Sequence, residues 1–515
     1  MIELPLLSSL IALPALAAFF LLFMGLITNR LPLACFGVFG KYFCFIVSLI
    51  ELGLIIKLLM TFDNNLWMQF IESYSWIKFG NFSLDLLLGV DGISLLFIVL
   101  TGVSIPLCLL ASWKVSEKPA LYFSLFLIAE SLIIGFFSSL NLLIFYLFFE
   151  AVLIPLLIII GIWGGKGRIF ASYKFLLYTF LGSLLLLVAI ISISLEPCNP
   201  LVNANGDFCR YGTGNFLVMG GFLEEQIWQG KAWIWWFFFI GLAVKIPLWP
   251  LHTWLPYAHV QAPTGGSMIL AGLLLKMGGY GIIRLLLDAF PRLSTLYSDY
   301  VIILSIIALL YGSLVALVQT NMKKMIAYSS VAHMGYVTAG LFAGTPLGVF
   351  AGIYQMISHG IISPALFFIV GLLYDRTHTK KISYYGGVAK KMPNLAIFFM
   401  IALLGSIGLP GTSGFIGEFT SIVASLEKNL FYGVALALGT VLGALYMLKL
   451  FANLMLNKSN KNTRKLKDLT KREIIILTFF SFFILLLGLY PRLIMVYLER
   501  PLDYLVQFYS EQKHF

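Results

Sequence analysis

Six ionisable side chains invite a chemical reading because the residues around them are apolar. Glu150 lies in FYLFFEAVLIPL, Lys245 in FFFIGLAVKIPLW, Lys276 in MILAGLLLKMGGYG and Glu418 in GFIGEFTSIV. His333 lies in SSVAHMGYV and His359 in QMISHGIIS. An ionisable group at the middle of a bilayer costs about 2.5–3.5 kcal/mol on insertion scales, so each needs a reason to be there. Near a helix end the reason is snorkelling, with the stem in the apolar layer and the charge at the interface. That reading suits Lys57, Lys174, Arg284 and Lys449. It does not suit Glu150, Lys245 or Lys276, which stand about two helical turns or more from a polar boundary. A neutral histidine can be a satisfied packing residue, and that reading competes at His333 and His359. Glu51 and Glu130 also sit on apolar runs, where the sequence leaves structure and function equally open.

The chemistry such a set can perform is proton transfer. An ordinary lysine has a pKa near about 10.4, so it can pass a proton at pH 7 only if its surroundings are switched. At an effective dielectric of about 20, a carboxylate about 4 Å away contributes about 4 kcal/mol, and one about 8 Å away about half of that. A shift of Glu150 by a few Å relative to Lys245 would therefore change the lysine's proton affinity more than about tenfold, enough to pass a proton toward Lys276.

Helix breakers stand beside two of these charges. Around Lys245 the chain reads KIPLWPLHTWLP, with Pro247 and Pro250. Around Glu418 it reads SIGLPGTSGFIGEF, with Gly408, Pro410, Gly411 and Gly414. Proline removes a backbone donor and clashes with the preceding turn. In lipid the freed groups must meet protein or water. Interrupted spans at corresponding places in two halves are the sequence sign of a transporter built from inverted repeats.

The elements that carry these residues are membrane helices. Of 515 residues, 60% are hydrophobic and 11% charged, whereas a soluble domain has roughly 25% charged. Long unbroken apolar runs exclude a soluble enzyme, a disordered chain and an alternating porin-type barrel. The sequence predicts an all-α polytopic membrane protein of about fourteen spans. They fall near 5–26, 34–60, 84–112, 120–139, 141–162, 173–195, 232–256, 263–288, 299–319, 324–344, 347–374, 394–426, 430–455 and 473–493. The breaks fall in spans seven and twelve. An odd offset of five spans means that a five-span unit repeated in tandem enters the membrane from opposite sides. We read residues 1–515 as a single membrane domain: 1–112 with spans one to three, 120–288 as a first repeat, 299–455 as a second, and 473–515 as the last span and a tail.

Basic residues follow the odd spans: Arg30, Lys114 and Lys118, Lys166 and Arg168, Lys323 and Lys324, Arg376, Lys380 and Lys381, and a cluster from Lys458 to Arg472. Loops after even spans are poor in base or acidic, as at Asp63, Glu72, Asp207 and Glu224. The positive-inside rule puts the odd loops on the cytoplasmic or matrix face and both termini on the other. The net charge of +11 is thus explained by orientation, and no motif supports nucleic-acid or nucleotide binding. Cys35, Cys44 and Cys108 read as packing residues. Cys198 and Cys209, in the polar stretch 196–231, could pair or remain free thiols. No CxxC, nucleophile triad or flavin motif is present, so no metal site or redox centre is expected in this chain. His333 and His359 as haem ligands are a rival reading that nothing in the sequence requires.

The stretch GLAVKIPLWPLHTWLPYAHVQAPTGGSMILAGLLLKMGGYGIIR resembles the central signature of the chain 4 family of NADH–ubiquinone oxidoreductase, respiratory complex I. LLIFYLFFEAVLIPLLIIIGIWG, MKKMIAYSSVAHMGYV, MISHGIISPALFFIVG and GLPGTSGFIGEF resemble its other blocks, and the similarity runs roughly from Asp91 to Phe451. That family belongs to an antiporter-like superfamily shared with Mrp-type cation/proton antiporters and membrane hydrogenases. The resemblance implies that Glu150 pairs with Lys245, that Lys276 is the central proton carrier, that His333 and His359 continue a hydrated axis, and that Glu418 is the exit-side or relay carboxylate. It implies a proton pump driven by redox chemistry elsewhere, with NAD, FMN, iron–sulfur clusters and ubiquinone on partner subunits. The implied partners are the antiporter-like chains 2 and 5, accessory subunits, including one at the 196–231 loop, and lipids such as cardiolipin. The 45 phenylalanines fit a mitochondrially encoded subunit of the inner membrane; a bacterial plasma membrane is the alternative. A stand-alone Mrp-type sodium/proton antiporter is the rival function. Where the family usually carries acids, this chain has Tyr257 and Gln261, so no proton-uptake role is carried onto those positions.

Overall fold

The computed structural model describes residues 5–27, 33–79, 82–194, 231–458, 463 and 465–510. The Cys198–Cys209 pair and the expected accessory contact at 196–231 lie outside the described residues, as does the side chain of Cys35.

The first part comprises α1 (Leu6–Ile27), α2 (Leu33–Thr61), the hairpin β1 (Gln69–Phe79) and β2 (Phe82–Val90), α3 (Gly92–Ala111) and α4 (Pro119–Ser138). Next come α5 (Leu142–Ala151), α6 (Leu153–Trp163), α7 (Arg168–Ser194), α8 (Trp233–Lys245) and α9 (Trp254–Gln261). A long central helix follows as α10 (Thr264–Ile269), a π segment (Leu270–Leu274), α11 (Leu275–Ile282) and a second π segment (Ile283–Asp288). The remainder is α12 (Pro291–Leu317), α13 (Met322–Leu341), α14 (Pro346–Thr377), α15 (Pro393–Ser406), α16 (Ser413–Lys428), α17 (Leu430–Phe451), α18 (Lys471–Leu489) and α19 (Arg492–Ser510).

Among the described residues, 11 helices are long and apolar enough to cross a membrane. The polar α13 and the two broken spans, α8–α9 and α15–α16, complete the fourteen passes that the sequence predicts. Local chemistry sets the starts. Asp91 accepts the Ser94 amide at the start of α3, Asn141 those of Leu143 and Ile144 at α5, and Thr345 that of Gly348 at α14. These side chains satisfy amides that the first turn leaves free.

Two features differ from the sequence reading. The third span begins at Gly92, not near residue 84, because Phe82–Val90 is a strand. Leu84, Leu88 and Val90 alternate toward the interior, and the strand pairs antiparallel with β1. The tail after the last span holds a helix, α19, that packs on α3 and α14. The approach is close: a Cβ at Gly92 would meet the Tyr497 carbonyl oxygen at 1.7 Å.

The two most enclosed passes are the central helix from Thr264 to Asp288 and α14, both 100% buried over their apolar windows. Glycine lets them touch. A Cβ at Gly272 would meet Pro364 Cγ at 2.9 Å, and one at Gly360 would lie 3.2 Å from the Gly272 carbonyl oxygen. This contact fixes Lys276 and His359 against each other.

Candidate functional site

Lys245 is the last residue of α8, and the helix stops there for the reason the sequence gives. Pro247 and Pro250 carry no amide hydrogen, so carbonyls of the last turn lose their ordinary donors. The Leu248 amide bonds to Ala243 O at 2.9 Å, and the Trp254 indole to Val244 O at 2.9 Å. The break is thereby satisfied by protein, as a lipid environment demands. The Lys245 ammonium, 1% exposed, donates to the Phe149 carbonyl at 2.7 Å and lies 3.8 Å above the Phe149 ring.

Glu150 is the next residue along. Among the described residues no ion pair within 4 Å joins it to Lys245; the two charges act on each other from farther apart. The chain turns at Val152 between α5 and α6, where Pro155 leaves the Ala151 carbonyl without its usual donor. A backbone carbonyl thus supplies the near contact to the ammonium, and the carboxylate the field.

Lys276 lies two residues past the first π segment. Its ammonium donates to the Ala271 carbonyl within that segment, which a wider turn leaves accessible, and lies 2.8 Å from His359 Nδ1. Both side chains are buried. Among the described residues His359 Nε2 has no hydrogen-bond partner.

From His359 the polar contacts continue. The His333 and His359 rings are 5.7 Å apart between centroids. His333 Nδ1 lies 3.0 Å from Glu418 Oε1, and its Nε2 is 3.3 Å from Ser406 Oγ. Gln355 Nε2 stands 3.5 Å from both His333 Nδ1 and Glu418 Oε1. A cavity of about 10 Å³ for water centres lies among His333, Gln355, His359, Ser363, Ser406 and Glu418. That is room for about one water molecule.

The second break shapes this end. Gly408, at φ +68°, turns the chain between α15 and α16, and a Cβ there would lie 2.7 Å from Glu418 Oε2. Gly411, at φ +88°, continues the turn beside Pro410. Gly414 lets α16 close on α15: its Cβ would meet the Gly405 carbonyl oxygen at 1.9 Å.

The structure therefore brings Lys276, His359, His333 and Glu418 into one file. Lys245 and Glu150 form a second charged group, and among the described residues no hydrogen bond or ion pair joins the two groups. Sequence reasoning missed Gln355 and Ser406, which complete the file. It also misread Arg284. That guanidinium does not snorkel; it is buried 2.5 Å from Asp91 Oδ1 at the head of α3. Glu51 and Glu130 are both fully buried, and among the described residues no carboxylate oxygen of either has a hydrogen-bond partner.

Proton exchange along such a file needs groups that both accept and release. A lysine amine, an imidazole with two distinct nitrogens and a carboxylate all do so. The two His333 nitrogens face Glu418 and Ser406, a carboxylate and a hydroxyl with which an imidazole can exchange protons.

Residues 139–443 match the family described as NADH:quinone oxidoreductase/Mrp antiporter, TM. The chain belongs to this family. It is 48% identical to NADH-quinone oxidoreductase subunit M of Rickettsia felis over 95% of this chain and 96% of that one. It is 40% identical to NADH-ubiquinone oxidoreductase chain 4 of Arabidopsis thaliana over 97% of each. Its fold matches a chain of respiratory complex I from Thermus thermophilus, with a TM-score of 0.81 at 27% identity, covering 98% of this chain and 99% of that one. As in its family, the chain is a mostly helical, multi-pass, antiporter-like membrane protein, the β1–β2 hairpin being its departure from the all-α expectation.

Proposed function

We propose that this chain is the proton-translocating membrane-arm subunit of an NADH:ubiquinone oxidoreductase. The observation that carries this reading is the buried file Lys276–His359–His333–Glu418, with Lys276 and His359 on the two most enclosed passes. The high identity to chains named as subunits of that enzyme, over nearly their whole length, supports it. Electron transfer from NADH to ubiquinone occurs on other subunits, which bind NAD, FMN, iron–sulfur clusters and the quinone. This chain contributes proton movement.

In this reading Lys245 and Glu150 hold the switchable end. With the ammonium on the Phe149 carbonyl, the charge of Glu150 tunes how tightly Lys245 keeps its proton. Lys276 takes the proton onward and shares it with His359. Release from His359 Nε2 into the small cavity passes it to His333 and Glu418. The partners are the antiporter-like chains 2 and 5, accessory subunits and lipids such as cardiolipin. The membrane is the mitochondrial inner membrane; the identity to rickettsial chains favours a bacterial plasma membrane as the second reading.

The experiment is substitution in the assembled complex. Lys245→Ala and Glu150→Ala should each abolish most NADH-driven proton pumping and quinone reduction. Full turnover with a normal proton-to-electron ratio in both variants overturns the assignment. Purification as a free sodium/proton exchanger, active without a redox complex, would favour the Mrp-type reading.

A further inference from the structure

Gln355 is neither an acid nor a base, yet it stands against both ends of the His333–Glu418 contact. It lies on α14 one turn before His359 and is 2% exposed. Its Nε2 is 3.5 Å from His333 Nδ1 and 3.5 Å from Glu418 Oε1, and those two atoms are 3.0 Å apart. The three atoms form a triangle, with the amide nitrogen facing both ends of its shortest side.

Packing holds the other end of the amide. Among the described residues Gln355 Oε1 has no hydrogen-bond partner. It lies over Gly417, where a Cβ would come within 2.3 Å of it and within 2.8 Å of the Gln355 Cα and Cβ. A side chain at 417 would push α16 from α14 and take the amide away from Glu418. Turned the other way, the amide would set its oxygen against a carboxylate oxygen, acceptor to acceptor, so the donor end faces the pair.

An amide nitrogen carries two hydrogens. While a proton sits between His333 Nδ1 and Glu418 Oε1, it serves both atoms. Once it leaves, two bare acceptors face each other in a buried site, a costly state unless donors reach them. We propose that Gln355 is a positioning residue for proton release: its two amide hydrogens take over His333 Nδ1 and Glu418 Oε1 when the proton between them departs. The inference rests on the proton-translocating reading above and adds to it a group that never carries the proton. In the step, that proton passes from the pair to water. Glu418 is left as a carboxylate, and His333 as a neutral imidazole whose remaining proton is on Nε2, facing Ser406 Oγ. One proton leaves and nothing is oxidised or reduced. The other titratable groups bearing on the pair are His359 on α14, Tyr336 on α13 and Tyr446 on α17. The Tyr336 hydroxyl donates to the Leu436 carbonyl at 3.0 Å, and Tyr446 bonds to Ser329, so neither takes the place of the amide.

A plainer role for Gln355 is to fill the space over Gly417. The pH dependence of NADH-driven quinone reduction and proton uptake, in the complex reconstituted into vesicles, separates the two. Gln355→Glu keeps the shape and replaces the donor with an acceptor; Gln355→Leu removes the polar group. Each leaves the shared proton harder to remove, so release needs a higher pH. The acidic limb of the rate profile should move up by about one pH unit or more in both variants, the size of one hydrogen bond to a charged group. The loss near neutral pH should be about tenfold and should recover as the pH is raised. A space-filling amide would change the overall rate and leave the limb in place. A limb at the wild-type pH in the assembled Gln355→Glu complex, or in Gln355→Leu where the glutamate variant does not assemble, overturns the inference. Lys245→Ala run alongside tells which idea has failed: if it is inactive while the Gln355 profiles match the wild type, only this inference falls. If it too is normal, the proton-translocating reading falls with it.

Discussion

Lys276 Nζ and His359 Nδ1 stand 2.8 Å apart between two helices that glycine brings into contact. An amine and an imidazole nitrogen at this distance are placed to exchange one proton. We predict that His359→Gln, in an assembled complex, lowers proton pumping and quinone reduction by about tenfold to a hundredfold. The check is NADH-driven acidification of vesicles alongside quinone reductase rates; an unchanged ratio and rate would place the proton path elsewhere.

Gly408 serves two needs at once, a left-handed backbone and space beside Glu418. Alanine meets both a conformational cost of about 1–2 kcal/mol and a clash with the carboxylate. We expect Gly408→Ala to lower the thermal midpoint of the purified complex and to slow pumping. Unaltered stability and pumping would show that the break does not hold Glu418.

The buried Arg284–Asp91 pair ties the end of the central helix to the head of α3. Removing one partner of a buried pair strands the other charge, at about 3–5 kcal/mol. Arg284→Met alone should therefore impair assembly, seen on native gels, and Arg284→Met with Asp91→Asn, which keeps the cap on the Ser94 amide, should restore much of it. Equal damage in single and double variants would mean the pair is not what Arg284 contributes.

Trp254 satisfies the Val244 carbonyl that the α8 break leaves free. Losing that bond leaves a buried acceptor unpaired, at about 1–3 kcal/mol. Trp254→Phe keeps most of the ring volume, so we predict a modest drop in thermal stability and a loosened Lys245. Fluorescence-monitored melting together with pumping rates measures both.

Much of this was legible in the sequence because cost is legible. Lys245 and Lys276 stand out since an ammonium among leucines must be explained, and the prolines and glycines beside Lys245 and Glu418 announce the breaks. The hairpin was not legible, because Leu84 to Val90 is apolar enough to read as the start of a helix and only its partner strand makes it extended. Arg284 looked like a snorkelling side chain because Asp91 is remote in sequence. Lys323 looked like an orientation signal, as one of two lysines at a span's end; folding alone puts it against Ala262 and Ser267. Gln355 gave no signal, since a neutral amide near a histidine is ordinary until Glu418 is brought beside it.

The central claim is that Lys276 carries protons by releasing them, not merely by being charged. The most direct measurement is the proton-to-electron ratio and turnover of the assembled complex bearing Lys276→Arg, which keeps the positive charge and withholds the proton. The account predicts assembly with pumping and quinone reduction reduced about tenfold or more. Wild-type turnover with an unchanged ratio would contradict it.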